Sequence, residues 1–371
     1  MAKPPLKIAL VHDYLREYGG AERVLEALHE LFPEAPVYTA FVDAEALGIH
    51  WQRFATWDVR ESWITKIPFY KKLFSPLRLF SPKFFADFDL SDYDVVISST
   101  NAYFAKAIKV RDGATHICYC HTPARSLYGY TTMSDWKRNP FTRVFGTLIN
   151  HYLRIVDFEV AQNVTHFIAN SKETQRRIKK FYKRDATVIF PPVRIPSTPP
   201  ETDPVKKYYL YVNRLALAKH PELAVQACTE LKIILKVVGT GKMEAYLREL
   251  GGATIDFRGA VNDKELHKLY AGAKALIYPV EDEDFGMVPV EAMGHGVPVI
   301  AHRSGGPMET ITEEEHGLFF DELSVAGLKE AILLSQNYDF DAKKIWQHAR
   351  QFSEEQFTLK MKEFIKKVTI S

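Results

Sequence analysis

Short apolar runs rich in β-branched residues alternate with segments of helical periodicity along most of this 371-residue chain. Residues 297–301 form one such run and contain no charged side chain, which is typical of a strand in a sheet covered on both faces. Strand–helix alternation of this kind implies parallel sheets with helices on either side. The sequence therefore predicts an α/β fold.

The same periodicity places the individual elements. In the first half we predict strands near residues 8–11, 37–40, 95–98, 107–110, 116–120, 167–169 and 188–190. Helices are predicted there near residues 21–31, 142–162 and 172–181, with Ser171 as the N-cap of the last. In the second half the predicted strands lie near residues 208–212, 233–238, 254–258, 275–279, 297–301 and 318–320. The accompanying helices lie near residues 222–230, 242–250, 263–271, 288–293, 326–334, 341–352 and 354–367.

Six prolines within residues 190–204 interrupt this alternation. Because proline has no N–H to donate, neither a helix nor a central strand continues through such a stretch. We therefore predict an N-terminal domain over residues 1–190, a linker over 191–205 and a C-terminal domain over 206–352. A helix within 353–371 is expected to pack back on the N-terminal domain. Open parallel sheets bind ligands at the carboxyl ends of their strands, which predicts a site in a cleft between the two domains.

Charge and cysteine content argue against several classes of protein. The chain has 48 Lys+Arg against 46 Asp+Glu, and this balance argues against a nucleic-acid partner. Three cysteines cannot form a disulfide framework, which indicates a reducing compartment. The sequence has no signal peptide pattern and no run of about 18 apolar residues that predicts a membrane-spanning helix. We expect a cytoplasmic protein, or one bound peripherally to the inner face of the cytoplasmic membrane.

Cys118 and Cys120 stand just before His121, a grouping that raises the question of a metal site. Zinc sites usually have a two-residue gap between cysteines and a second ligand pair, and this sequence has neither. Buried cysteines of a strand are therefore the favoured interpretation. No metal is expected.

Two segments at predicted strand ends carry groups that suit phosphate. Gly19 and Gly20 open the first helix, where glycines let backbone N–H groups approach an anion closely. Their spacing is not the glycine fingerprint of dinucleotide binders, which argues against a nicotinamide cofactor. Arg214 and Lys219 follow a predicted strand and offer a guanidinium fork and an ammonium to a pyrophosphate. Each segment alone also has a plainer interpretation, as a flexible loop and as solvated surface cations.

The most specific pattern runs from Glu283 to Glu291. Pro289 suits the first turn of a helix, so the N–H groups of Gly286 and Met287 are expected at its positive end. Glu291 is expected in that first turn, where an acidic side chain is favourable in any case. Glu283, in the preceding loop, has no such explanation. An acidic loop is more often solvated than functional, but the glycine and the proline between the two glutamates favour a site.

In combination these residues resemble the retaining glycosyltransferases of family 4, which have the GT-B fold of two Rossmann-like domains with parallel sheets facing across a cleft. The resemblance covers essentially the whole chain. The matching residues are Gly19-Gly20-Ala21-Glu22, His121-Thr122-Pro123, Arg214 with Lys219, and Glu283 through Glu291. The chain departs from the family pattern at His220 and Asp284, where members usually carry glycine.

The resemblance implies how the nucleotide of a sugar donor is held. Gly19 and Gly20 belong to the donor site, with the backbone N–H of Gly20 on a donor phosphate. Arg214 and Lys219 bind the pyrophosphate and stabilise its charge as it leaves, which makes them catalytic residues. Glu291 holds the ribose hydroxyls. Because fixed cations stabilise the departing diphosphate, neither a metal nor another cofactor is expected.

The resemblance also implies how the transferred sugar is held. Glu283 accepts hydrogen bonds from sugar hydroxyls and counts among the catalytic residues. The N–H groups of Phe285, Gly286 and Met287 assist it. His121 lies beside the transferred sugar as a further catalytic residue, although a histidine at a strand end also serves simply to fill space or bond backbone groups.

The segment that begins at Arg60 and ends at Phe85 combines six basic residues with seven aromatic residues and a single acid, Glu61. Basic and aromatic side chains together suit an anionic membrane surface. Pro68, Pro76 and Pro82 predict short helices or loops rather than one long helix. The alternative is an excursion of the N-terminal domain whose aromatic side chains enter its core.

The sequence therefore predicts a retaining, metal-independent hexosyltransferase. Residues 12–14 and 121–125 look like those of mannosyltransferases of polysaccharide or lipopolysaccharide assembly within the family, which favours GDP-mannose as the donor. A glycan or a lipid-linked acceptor is expected, in assembly of a cell-surface polysaccharide. A UDP-sugar donor is the alternative, and a non-catalytic partner in glycan assembly is a second one, disfavoured because the donor-site residues are all present.

Overall fold

The computed structural model describes residues 6–131, 140–200 and 206–370. The chain forms two compact units, each considered by itself. Unit 1 contains Met1–Pro192 and Phe357–Ser371, and unit 2 contains Val193–Gln356. Residues 201–205 of the predicted linker lie outside the described residues.

Among the described residues, unit 1 contains a seven-stranded sheet. Its strands are β1 (Ile8–His12), β2 (Val37–Thr39), β3 (Val59–Glu61), β4 (Val95–Thr100), β5 (Thr115–Cys120), β6 (His166–Ala169) and β7 (Ala186–Val188). Their order is β3-β2-β1-β4-β5-β6-β7, and neighbouring strands are parallel. The order reverses between β1 and β4, and the carboxyl ends of these strands border the switch point at which open α/β sheets bind ligands.

Helices connect these strands. They are α1 (Gly20–Leu31), α2 (Ala44–Leu47), α3 (Tyr70–Leu77), α4 (Ser81–Ala86), α5 (Arg125–Tyr128), α6 (Pro140–Gln162) and α7 (Lys172–Tyr182). Short 3-10 helices lie at Gly48–Arg53, Trp63–Lys66, Arg78–Phe80 and Ala105–Ala107. The Ser171 hydroxyl caps α7 by accepting the N–H of Thr174 at 2.9 Å, as the sequence predicts.

In the part of the chain that the structure describes, unit 2 contains a second sheet, of six parallel strands. They are β8 (Tyr208–Val212), β9 (Leu235–Val238), β10 (Ile255–Gly259), β11 (Ala273–Tyr278), β12 (Val299–His302) and β13 (Gly317–Phe320). The order is β10-β9-β8-β11-β12-β13, so the switch point lies between β8 and β11. The helices are α8 (Pro221–Glu230), α9 (Glu244–Leu250), α10 (Asp263–Ala271), α11 (Met287–Gly294), α12 (Pro307–Thr310), α13 (Val325–Ser335) and α14 (Ala342–Ala349). A last helix, α15 (Glu354–Ile370), begins at the end of unit 2 and continues in unit 1. Further 3-10 helices lie at Leu217–Lys219 and Arg350–Phe352.

Both faces of the unit 1 sheet are buried. Leu10 and Ile97 belong to one core, whereas Val11 and Val96 belong to the other, as the alternation of side chains along a strand requires. From Phe357 onward α15 belongs to unit 1, where its apolar face joins the core that contains Leu10. Such burial on both faces explains the apolar strands, and the predicted α/β fold with two parallel-sheet Rossmann-like domains is confirmed.

Some predicted elements differ from the structure. Residues 107–110 do not form the predicted strand: Ala107 ends the 3-10 helix Ala105–Ala107, and the first two residues of the run are buried in the core without joining the sheet. The short edge strand β3 escaped prediction, since its sequence Val-Arg-Glu has a single apolar residue. The strand predicted at residues 188–190 lies two residues earlier, at β7. Within the described ranges, no helix has both the length and the apolar character needed to cross a bilayer.

Candidate active site

Lys219 and Glu283 form an ion pair beside the switch point of unit 2. Lys219 ends the 3-10 helix Leu217–Lys219 after β8, and Glu283 lies in the loop between β11 and α11. The Lys219 Nζ and Glu283 Oε2 atoms are 2.5 Å apart, and each side chain is 15% exposed. Burial and the neighbouring Glu283 carboxylate raise the pKa of the Tyr278 hydroxyl, so it stays protonated beside Glu283. Two of the predicted catalytic residues are therefore in contact.

Arg214 is exposed and lies within the turn at residues 213–215, which follows β8. Its backbone N–H donates to Asn213 Oδ1 at 3.0 Å. Gly239 and Gly241 lie against this turn so closely that a Cβ at either position would fall 1.9 Å and 2.2 Å from the carbonyl oxygens of Asn213 and Leu215. Only glycine fits at these two positions, and the turn that carries Arg214 is held in place by backbone packing.

A second pair of glycines holds the acidic loop. A Cβ at Gly305 would lie 2.2 Å from the Glu283 carbonyl oxygen, and one at Gly306 would lie 2.3 Å from that of Phe285. The Gly306 N–H also donates to the Glu283 carbonyl at 2.8 Å. The loop after β12 therefore fixes the backbone of Glu283. Our sequence interpretation missed both glycine pairs, although each follows a predicted strand on the side where ligands bind.

Helix α11 begins at Met287, one residue before the predicted start, with Gly286 as its N-cap at φ 84°. This left-handed conformation favours glycine. Glu291, however, lies in the second turn of α11, not in the first as predicted, because the helix begins at Met287. Favourable contact with the first turn therefore does not account for it. Glu291 is buried, and its Oε2 accepts the Tyr270 hydroxyl at 3.1 Å.

His220 has a left-handed backbone, with φ 47° and ψ 46°, at the position where glycine is usual in the resembled family. It precedes α8, and its Nδ1 lies 3.0 Å from Glu222 Oε1. The backbone conformation that favours glycine is thus kept in this chain by a residue with a side chain.

The predicted residue His121 lies in unit 1, just past the carboxyl end of β5, and is buried. Its Nε2 is 2.8 Å from Ser99 Oγ, on the adjacent strand β4. Ser99 Oγ is in turn 3.1 Å from His12 Nδ1, at the end of β1. Burial lowers the pKa of His121 to about 4, with a further contribution from His12, so the His121 imidazole is neutral near pH 7. Sequence reasoning did not identify Ser99, because a serine in an apolar strand carries no distinctive pattern.

The start of α1 adjoins this cluster. Gly19 is the N-cap and Gly20 is the first helical residue. The Gly19 N–H donates to Glu22 Oε2 at 2.8 Å, while Glu22 Oε1 lies 3.4 Å from His12 Nε2. The Gly19 N–H is therefore already bonded to a side chain of α1. Of the two predicted glycines, Gly20 is the better placed to bind an anion.

Asp13 follows His12 and has a structural role. Its carboxylate accepts four backbone N–H groups within 2.8 Å, from Asn101, Ala102, Tyr103 and Ala105. The carboxylate thereby fixes the loop after β4.

Cys118 and Cys120 are both buried, and burial raises the pKa of the Cys118 thiol to about 12, as expected for strand cysteines.

The segment from Arg60 to Phe85 forms a strand, short helices and turns. Phe84 and Phe85 are fully buried in the core of unit 1, which agrees with the alternative interpretation of this segment. Phe69 and Phe80 are exposed.

The neighbouring helix α6 was not singled out from the sequence, yet it exposes a row of large apolar side chains. They are Val144, Phe145, Leu148, Ile149, Tyr152, Ile155 and Phe158.

Two family models match the chain, one in each half. The model described as Glycosyltransferase Family 4 matches residues 18–195, and the model described as Glycosyl transferases group 1 matches residues 198–351. Together they include every predicted site residue.

The chain is also similar to individual proteins. A GDP-mannose-dependent alpha-mannosyltransferase of Corynebacterium glutamicum is 35% identical over 136 residues, a match that covers 37% of this chain and only 32% of that protein. The alpha-1,3/1,6-mannosyltransferase alg2 of Schizosaccharomyces pombe is 25% identical over 85% of this chain and 71% of its own length. The solved structure of Anabaena HepE in complex with UDP and glucose has a TM-score of 0.68 at 18% identity, and the match covers 98% of this chain and 100% of HepE.

Proposed function

The chain belongs to the family 4-type glycosyltransferases of the GT-B fold, and on this basis we propose that it transfers mannose from GDP-mannose to a glycan or lipid-linked acceptor in cell-surface polysaccharide assembly. The observation that carries the proposal is the Lys219–Glu283 pair at the switch point of unit 2, near the turn that presents Arg214. The names of the relatives support mannose and GDP-mannose as the substrates.

The proposed chemistry is charge stabilisation at a breaking sugar–phosphate bond. As the anomeric C–O bond breaks, positive charge develops on the sugar and negative charge on the diphosphate. Arg214 and Lys219 stabilise the diphosphate, and their fixed charges support a reaction that needs neither a metal nor another cofactor. The N–H groups of residues 285–287 and of Gly20 add donors at two helix starts.

The remaining residues contact the mannose and the ribose of the donor. Glu283 holds hydroxyls of the mannose, and its own position is set by Lys219 and by the glycines after β12. Glu291 holds the ribose hydroxyls. His121, neutral through burial, lies beside the transferred sugar. We propose retention of the anomeric configuration, as in the retaining enzymes that the sequence resembles.

A UDP-sugar is the alternative donor, because a structural neighbour was solved with UDP and glucose. Thermal unfolding of the purified chain with equal concentrations of GDP, UDP, GDP-mannose and UDP-glucose separates the two donors, since a ligand stabilises the fold in proportion to the logarithm of its concentration over Kd. We expect GDP and GDP-mannose to raise the unfolding temperature most. A larger rise with UDP compounds would overturn the choice of donor, and no rise with any of the four would favour a non-catalytic partner.

We also propose that unit 1 binds an anionic membrane surface, where a lipid-linked acceptor would lie, and that the protein is cytoplasmic. Phe145 and Leu148 of α6 are 65% and 64% exposed, and Phe69 in the segment from Arg60 to Phe85 is 75% exposed. Exposed Lys72 and Arg154 accompany them. Apolar side chains next to basic ones suit a bilayer of anionic lipids.

A further inference from the structure

Ser99 lies between two imidazole rings and has only one proton to share. Its Oγ is 3.1 Å from His12 Nδ1 and 2.8 Å from His121 Nε2. A serine hydroxyl donates one hydrogen bond and accepts others. Ser99 therefore donates to at most one of the two imidazoles, so the hydrogen positions on the two rings depend on each other.

The far end of this chain of contacts is Glu22. A carboxylate only accepts hydrogen bonds, and Glu22 receives the Gly19 N–H on Oε2 while Oε1 lies 3.4 Å from His12 Nε2. His12 then carries a hydrogen on Nε2, and in a neutral ring its Nδ1 is an acceptor. Ser99 donates to that Nδ1 and accepts from His121 Nε2–H. His121 is left with Nδ1 as an acceptor.

We propose that Glu22, His12 and Ser99 are positioning residues that select the tautomer in which His121 meets the donor sugar. The contact with the sugar rests on the proposed function, whereas the control of the tautomer does not. Among the described residues no hydrogen bond occupies His121 Nδ1, which makes it the nitrogen left for a sugar hydroxyl. With Nδ1 as an acceptor, His121 orients that hydroxyl as a donor.

The surroundings favour such control. His12, Ser99, His121 and Glu22 are all buried, so water does not compete for their hydrogen bonds. The groups facing His121 are His12 and Asp13 from the β1 end, Glu22 from α1 and the Tyr119 ring at 5.2 Å on β5. Because burial keeps His121 neutral, its tautomer is the variable that remains.

The Glu22→Gln variant directly tests the series of hydrogen bonds from Glu22 to His121. The Gly19 N–H needs an acceptor, so the amide oxygen of Gln faces Gly19 and its NH2 group faces His12 Nε2. A neutral His12 then carries its hydrogen on Nδ1 and donates to Ser99. Ser99 in turn donates to His121 Nε2, and His121 changes to the tautomer with hydrogen on Nδ1.

The measurement is long-range 1H–15N NMR of 15N-histidine-labelled protein, in which protonated and unprotonated imidazole nitrogens have well-separated 15N shifts. A His121→Gln variant assigns the His121 signals, and the same spectra report whether His12 is neutral. We expect the Nε2–H tautomer of His121 in the parent and the Nδ1–H tautomer in Glu22→Gln. The same tautomer in both proteins, with His12 neutral, would overturn the proposal.

Two further variants complete the experiment. Glu26→Gln is the matched control, because it removes an equal charge from α1 at a residue bonded to Tyr18 and Arg53 instead. It should leave the His121 tautomer unchanged. If Glu22→Gln does not fold, the Ser99→Ala variant takes its place. We expect a mixture of His121 tautomers in Ser99→Ala. A single tautomer, unchanged from the parent, would contradict the proposal.

Activity then separates this proposal from the proposed function. In Glu22→Gln, turnover of GDP-mannose should fall about tenfold, the effect of losing roughly one hydrogen bond, while Glu26→Gln keeps parent turnover. A tautomer change without any change in turnover would support the control of the His121 tautomer by Glu22, His12 and Ser99. It would also mean that His121 does not contact the donor sugar. Absence of all transferase activity in the parent would count against the proposed function alone, because the NMR result does not depend on turnover.

Discussion

Arg214 and Lys219 are cations in different surroundings. Lys219 is largely buried and held by Glu283, so its ammonium is fixed before any ligand arrives. Arg214 is exposed, and its backbone is held by the Asn213 side chain and by the glycines after β9. A preorganised cation stabilises developing charge without reorganisation, so we expect the larger loss of turnover when Lys219 is removed.

Alanine at either cation should lower turnover of GDP-mannose by about 10²–10³-fold, the scale for removing one group that stabilises developing charge. Steady-state kinetics of Arg214→Ala and Lys219→Ala measure this. Arg248→Ala on α9 is the control, since Arg248 is an exposed cation of unit 2 that bonds to Glu244 in its own helix and lies over the Phe257 ring. Turnover of both site variants within a few-fold of Arg248→Ala would contradict the pyrophosphate role.

The two glutamates should respond to different parts of the donor. Glu291→Gln should weaken binding of GDP and GDP-mannose alike, by about 10–100-fold, because one charge-assisted hydrogen bond is lost. Glu283→Gln keeps an oxygen that accepts from Lys219, so it should weaken GDP by a few-fold at most and weaken GDP-mannose much more. Calorimetric titration of both ligands decides this, with Glu265→Gln, an exposed partner of Arg258, as the control. Equal losses for both ligands in Glu283→Gln would refute the division of roles.

At the scale of elements, α6 and β5 differ in how their side chains are buried. Helix α6 buries Leu153 and Asp157 on one face and leaves large apolar residues exposed on another. Strand β5 is buried along nearly its whole length, including His116, whose Nε2 lies 2.8 Å from Ser98 Oγ. The exposed face suits a membrane, and the buried histidine makes stability depend on pH.

Changing Phe145 and Leu148 of α6 to serine should reduce sedimentation with phosphatidylglycerol vesicles about tenfold or more, since two apolar side chains no longer insert. Leu333 and Leu334 of α13 are also exposed, in unit 2, and provide the control double variant. That control should sediment like the parent. Equal sedimentation of the α6 variant and the parent, or no sedimentation of the parent at low salt, would end the membrane proposal.

Burial lowers the pKa of His116 to about 3, with a further contribution from Lys106, and that of His121 to about 4. An unfolded imidazole has a pKa near 6.5, so the unfolded state binds protons first and stability is lost as pH falls from about 6.5 towards 4. Each histidine should contribute about 2 kcal/mol to the difference in free energy of unfolding between pH 7 and pH 5. Urea unfolding followed by tryptophan fluorescence measures this difference.

The comparison variant is His116→Gln, which keeps a polar partner for Ser98 without a group that titrates in this range. Its loss of stability between pH 7 and pH 5 should be smaller than that of the parent by about 2 kcal/mol. His151→Gln, on the exposed side of α6, should behave like the parent. A pH dependence in His116→Gln as steep as in the parent would contradict the assignment to His116.

At the scale of the whole molecule, the sequence predicted the repeated features better than the irregular ones. Apolar strands and periodic helices were predictable because burial on both faces of a sheet leaves a continuous apolar run, as in β8. The edge strand β3 was not, since one apolar residue in three gives no pattern. Glu283 and Lys219 were identified from spacing and resemblance. Ser99 and the glycines at 239 and 305 were not, because contacts between distant segments define them.

The central claim is that the chain uses GDP-mannose as its donor. The direct measurement is one reaction that contains purified protein, equal amounts of GDP-mannose and UDP-glucose, a lipid extract as the source of acceptor, and EDTA to remove divalent metals, with released GDP and UDP quantified by chromatography. The proposed function predicts that GDP accumulates, that UDP does not, and that Arg214→Ala suppresses the GDP about 10²-fold or more. Accumulation of UDP instead of GDP, or equal GDP release by Arg214→Ala, would contradict it.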